Sequence, residues 1–277
     1  MKQPNQTTNN KAMNEIDFGV DPEPVSVIVP GVLKTLGDQL SYEKMIQAEI
    51  PARTNTYTPV PHQDIDTYVK SLTKELGFCV VDQEFRVNGK GNVAIGLYTL
   101  DRDCEERGMQ FRFAWRNSYD KSRKLTIASG VRILACSNGA FWGDNSNLSR
   151  KHQGELDMEF RDVVEREMLL ADRRLNEGKA YEREWSENRL TKKQWTAMFG
   201  EVIMANKIIT PTMLNPLRED LRHGPFRVER DGSHTRWGMY MNITHALKNV
   251  HPGEYIRLQK DAHTAMSIIR TPSFNLS

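Results

Sequence analysis

Between Arg116 and Asp144 the chain interleaves small polar residues, cations and aromatic rings. The stretch begins Arg116-Asn117-Ser118-Tyr119-Asp120, continues through Lys121, Arg123, Lys124 and Arg132, and ends on Cys136-Ser137-Asn138-Gly139 with Phe141 and Trp142 just after. Guanidinium and ammonium groups neutralise phosphates. Asn, Ser and loop amides bond phosphate oxygens, and exposed rings stack on bases. The expected contact set for a nucleic acid is therefore Arg112, Arg116, Asn117, Ser118, Lys121, Arg123, Lys124, Arg132, Asn138, Phe141 and Trp142. A plainer reading stays open beside it. Asn117, Ser118 and Asp120 also suit a tight turn between two strands, Asn138-Gly139 a sharp bend, and the two rings an ordinary core.

Other chemistries have thinner support. Asp101, Asp103, Glu105 and Glu106 crowd one segment as Mg²⁺ ligands would, but Arg102 and Arg107 among them also fit a solvated charged turn. The histidines at 223, 234, 245, 251 and 263 show neither a HxxxH nor a HExxH spacing. Cys136 has no histidine near it in sequence to lower its pKa, so it reads as a small buried hydrophobe rather than a nucleophile. Gly89 and Gly91 belong to a hairpin and not to a strand-to-helix phosphate loop. No cofactor and no metal is expected.

The elements around these residues follow from periodicity. Ile65, Val69, Leu72 and Leu76 recur at helical spacing over 62–76, with Gly77 placed to end the helix. Phe78–Val87 and Asn92–Leu100 read as strands joined by the hairpin signal Asn88-Gly89-Lys90-Gly91. Met109–Trp115 alternates polar and apolar residues as a third strand, and 124–135 is either a strand or a buried helix. Residues 152–190 form a long charged helix or a pair broken after Gly178, with eleven acids against seven cations, a surface suited to self-association. Thr191 is placed to cap a helix over 191–204, three prolines punctuate 206–225, and short helices follow at 235–249 and 260–269. The expected fold is α+β: an antiparallel sheet packed on a helix, then a mainly helical part. The expected divisions are a polar arm over 1–24, an α+β core over 25–150, including an apolar edge-strand or docking segment at Val25–Leu33, and a helical region over 151–277.

Asn117-Ser118-Tyr119-Asp120 and Cys136-Ser137-Asn138-Gly139 give the chain a resemblance to a phage- and plasmid-encoded family of unknown function. Members of that family typically carry Asn-Ser-His-Asp-Gly-Ser, an apolar run with an Arg, then Cys-Ser-Asn-Gly or Cys-Ala-Asn-Gly. Tyr119 stands here where His is usual and Lys121 where Gly is usual. The likeness runs over about residues 55–250 and includes Thr235–Leu247. It implies a mobile-element origin, a bacteriophage above all, and supplies no activity.

Composition sets the frame. With a formal net charge of +2 the whole-molecule field is weak, so affinity for nucleic acid has to come from a local patch. Three cysteines without a CxxC fit a reducing compartment better than a disulfide framework, and the polar start of the chain is no signal peptide. The sequence thus points to a non-enzymatic, oligomeric phage protein of the host cytoplasm, away from the membrane. It would bind single-stranded DNA in replication, recombination or transcription, alongside other phage proteins. Two alternatives remain: a phage protein that binds and redirects a host protein, and a metal-dependent nuclease.

Overall fold

The computed structural model describes residues 36–273 apart from 56, 106–107, 134–137, 143–145, 148–157 and 205–207. The N-terminal arm, the Val25–Leu33 segment and Cys136 lie outside the described residues. The fold is mixed α+β, built on one antiparallel sheet. Two helices enter it, α1 (Leu36–Ile46) and α2 (His62–Glu75). The strands follow as a meander: β1 (Cys79–Val87), β2 (Val93–Asp101), β3 (Met109–Ser118), β4 (Thr126–Ile133) and β5 (Asn138–Phe141), with the short β6 (Ser146–Asn147) beside β4. Then come α3 (Met158–Leu169), α4 (Ala171–Glu187), β7 (Arg189–Leu190), α5 (Lys192–Met204), α6 (Pro211–His223), β8 (His234–Thr235), α7 (Arg236–Ala246) and α8 (Pro252–Ile268).

Register decides which side chains face which layer. Phe85, Tyr98, Phe113 and Trp115 project from one face onto α1–α3, and Tyr42 of α1 meets Phe85 at 5.0 Å. Ile95, Leu97, Ala114, Ala128 and Phe141 project from the other onto α7 and α8. Both faces are covered, so no face of the sheet's central strands is open. Gly96 exists because Trp115 lies flat across it: a Cβ there would sit 2.5 Å from Trp115 Cε2. The indole donates to Tyr98 Oη (2.7 Å), and Tyr98 donates to the buried carboxylate of Asp66 (2.7 Å).

Several boundaries differ from the sequence reading. The third strand runs three residues further, so Asn117 and Ser118 are strand residues and the turn begins at Tyr119. The break in the charged segment falls at Leu170, and Gly178 sits inside α4 against Met109, Trp142 and Val131. The proline-rich stretch holds a helix, α6, with Pro211 in its first turn, Pro216 inside it, and Met213 and Leu217 buried. Proline at the first helical position removes only a donor that had no partner, so it starts a helix as readily as it ends one. Two of the cysteines, Cys79 and Cys104, are joined as a disulfide, which corrects the expectation of free thiols.

Candidate functional site

The structure divides the expected contact residues among three places. The first is the turn between β3 and β4, which lies against the start of α8. Arg116, near the end of β3, donates from Nη1 to Gly253 O (2.7 Å) and from Nη2 to Thr126 Oγ1 (2.9 Å). Burial lowers its pKa to about 10, with Arg123 adding to the effect, so it remains charged at neutral pH. Arg123 pairs with Glu254, which also binds Arg257 at 2.6 Å. Lys121 has a left-handed φ of 60° and holds its ammonium 4.5 Å from the centre of the Tyr57 ring. Lys124 is exposed.

Asn117 and Ser118 do not point outward. Asn117 Nδ2 donates to Val60 O at 2.9 Å and meets His62 Nδ1 at 3.1 Å. Ser118 Oγ donates to Arg123 O (2.8 Å) and accepts from Arg123 N (3.0 Å), closing the turn. Asp120 accepts from Ser122 N (2.9 Å) and from Asn92 Nδ2 (3.0 Å). Tyr119 is buried, stacked on His62 at 3.9 Å and 11°. The polar residues of the motif therefore shape the turn, and the cations are what it presents.

The second place is a cluster of acids and arginines on the α7–α8 face of the sheet. Arg112 Nη2 bonds Glu84 Oε2 at 2.8 Å, Arg86 bonds the other oxygen of Glu84 at 2.6 Å, and Arg132 bonds Asp82 at 3.0 Å. Two strands separate β1 from β4, yet the long Arg132 side chain meets Asp82 across this face. Burial opposes ionisation of Glu84, but Arg86 and Arg112 outweigh it and hold the carboxyl at about 2. Arg86 also stacks on Tyr255, 4.2 Å from the ring centre. Gly139, following Asn138 in β5, lies directly on the Arg112 side chain.

The third place is the core. Phe141 is fully buried against Tyr255, and Trp142 is buried against His263, with its Nε1 donating to Glu177 Oε2 at 2.7 Å. The stacking role expected of these two rings has no surface to act from. Arg112 and Arg132 are likewise held in buried ion pairs instead of lining a groove. Of the long charged segment, α3 packs on β4 and α2, and α4 on β3, β4 and α7.

Asp82, Glu84, Arg86, His251, Glu254 and Arg257 escaped the sequence reading. The first three carried a signal. Charges at 82, 84 and 86 fall on one side of a strand, and in a sheet covered on both faces such a row must find partners inside. The residues of α8 carried none, because they reach the turn only through the fold. Among the described residues no group of three His, Cys, Asp or Glu side chains is placed to hold a metal ion. Asp101 instead accepts from Asp103 N (2.8 Å).

Over residues 50–270 the sequence matches the family model described as Domain of unknown function (DUF932), and the chain belongs to that family. No curated protein and no solved structure matches it. Among the described residues no helix is long and apolar enough to cross a membrane.

Proposed function

We propose that this domain is a non-enzymatic nucleic-acid-binding protein of a mobile genetic element, a bacteriophage above all. It grips the phosphate backbone with the β3–β4 turn and the first turn of α8, and acts in the replication, recombination or transcription of that element's DNA. One observation supports this most: Arg116 at the end of β3, Arg123 of the turn and Arg257 of α8 are brought together through Gly253 and Glu254, and the exposed Lys121 and Lys124 belong to the same turn. The positive end of the α8 dipole adds to them. Asp120, Glu254 and Asp261 offset part of the charge, so the patch suits a few phosphates rather than a long track. With Phe141 and Trp142 in the core, binding rests on the backbone alone and discriminates little between single strands and duplex. Among the described residues the exposed large apolar side chains, Ile46, Ile50, Leu169, Leu214 and Ile268, are dispersed over four helices and a loop. This gives less support to a host-protein contact.

Fluorescence anisotropy with a labelled oligonucleotide, single-stranded and as duplex, tests the reading across a salt series. Log K should fall with log salt at a slope of about −2 to −4, since each neutralised phosphate contributes about −0.9 on duplex DNA. Lys121→Glu combined with Lys124→Glu should weaken binding at least about tenfold while costing only about 1 kcal/mol of stability, from the lost contact of Lys121 with the Tyr57 ring. Absence of binding at low salt refutes the proposal.

A further inference from the structure

The acid–arginine cluster holds a group that the ion pairs do not account for. Arg112 is 2% exposed, and its Nη2 bonds Glu84, yet Nε and Nη1 are both buried without a hydrogen-bond partner. A buried donor left without an acceptor is destabilising, and more so when the group is charged. A cross-brace between β1 and β3 explains the Glu84 bond and leaves the other nitrogens unexplained. We propose that Arg112 anchors a binding site for a small ligand bearing an oxyanion, a phosphate, sulfate or carboxylate group, on the α7–α8 face of the sheet beside Gly139 and Arg132.

Three features support this. A charged guanidinium N–H donates strongly to an oxyanion oxygen, and a site with Arg86, Arg112 and Arg132 against Asp82 and Glu84 favours one more negative charge. Gly139 is the residue that lets the main chain lie on Arg112: a Cβ would come within 3.0 Å of both Cδ and Nη1. Glu84 keeps 27% of its side chain exposed, so the cluster lies just below the surface at the β1 edge. The site is separate from the β3–β4 turn and does not depend on nucleic-acid binding there.

The test is a titration of the full chain with phosphate, sulfate and acetate at constant ionic strength, with chloride as reference, read by thermal shift. A saturable rise in Tm with half-saturation at millimolar concentration is expected for at least one oxyanion, by mass action on the folded state. A response to phosphate and sulfate defines a tetrahedral ligand group, and a response to acetate alone a carboxylate. Arg112→Lys and Gly139→Ala should each weaken the apparent constant at least about tenfold, the first by losing the guanidinium donors and the second by filling the approach. Should neither variant fold, Arg Nε–H resonances of the native chain decide: one buried guanidinium signal should move saturably with the anion. The double variant at Lys121 and Lys124 should keep the response, which separates this site from the DNA reading. No response beyond that to chloride, or an unchanged constant in a folded Arg112 or Gly139 variant, overturns the proposal.

Discussion

Three histidines set how the molecule answers acid. Burial lowers His62, His234 and His263 each to about 4. For His62 a bond to the Gly91 backbone works weakly against this. For His263 Glu177 opposes the shift and Arg174 adds to it. His263 is boxed by Trp142 (5.1 Å), Tyr181 (4.7 Å), Trp185 (5.6 Å) and Tyr240 (5.7 Å). The unfolded chain takes up these protons near the ordinary value of 6.5, the folded chain only near 4. Stability from this source is whole above about pH 6.5 and is lost as pH falls toward 4, by up to about 1.4 kcal/mol per pH unit for each ring. Glu84 acts lower: its contribution is present above its ordinary value of 4.5 and disappears as pH falls toward about 2. Urea unfolding at pH 7, 6 and 5 should show a falling midpoint and uptake of about three protons, and His234→Gln should remove about one of them. A flat profile over that range would show that the rings are not buried neutral. Side-chain polarity along 112–142 was legible in the sequence, but direction was not. Asn117 and Ser118 end a strand whose neighbours are fixed by Val60, His62 and Arg123, and no local pattern encodes those contacts.

At the scale of elements, close approach of backbones separates glycines that must be glycine from one that need not be. A Cβ on Gly130 of β4 would overlap Ala140 O and come within 3.0 Å of Ala140 C and Phe141 Cα. All of these are β5 main chain, which cannot give way without unpairing the two strands and lifting Phe141 out of the core. Gly178 of α4 differs. Its Cβ would meet Met109 Sδ at 2.9 Å and Trp142 Cη2 and Val131 Cγ1 at 3.2 Å; the thioether can turn aside, and the other two side chains need give only a little, since none of the three is main chain. Alanine also favours the helix by about 1 kcal/mol over glycine. Gly130→Ala should therefore cost about 3 kcal/mol or prevent folding, while Gly178→Ala should lie within about 1 kcal/mol of the native chain. Urea midpoints of the two variants check this, and the reverse order would show that β4 and β5 are not packed as described. The same contrast explains what the sequence disclosed. The hairpin at 88–91 was legible because Asn88 and Gly91 make a local turn, with Asn88 N bonding Val93 O at 3.0 Å and Gly91 at φ 76°. The helix α6 was not legible, because its prolines read as breaks while its stability comes from Met213 and Leu217 against distant partners.

Taken whole, the molecule has two apolar cores and one sheet between them. Phe160, Val164 and Met168 of α3 join the core on the α1–α3 side; Trp185, Tyr240 and Tyr255 join the core on the α7–α8 side. Leu175 of α4 packs against both. The charges of 152–190 told that a charged helical part lies there. They did not tell that α3 would serve one face and α7 and α8 the other, since a solvent-facing stripe says nothing about which surface its apolar side meets. Shared strands make the cores interdependent. Tyr98 and Leu97 are neighbours on β2 yet belong to opposite cores, so neither can loosen without disturbing the backbone that carries the other. Unfolding should therefore be a single transition despite the two cores. Phe160→Ala on one side and Trp185→Ala on the other should each cost about 3–5 kcal/mol, and each should lower the midpoint of that one transition. Calorimetry together with tryptophan fluorescence tests this. Two resolved transitions, with each variant shifting only its own, would mean that the faces fold independently and that the sheet is not the common element.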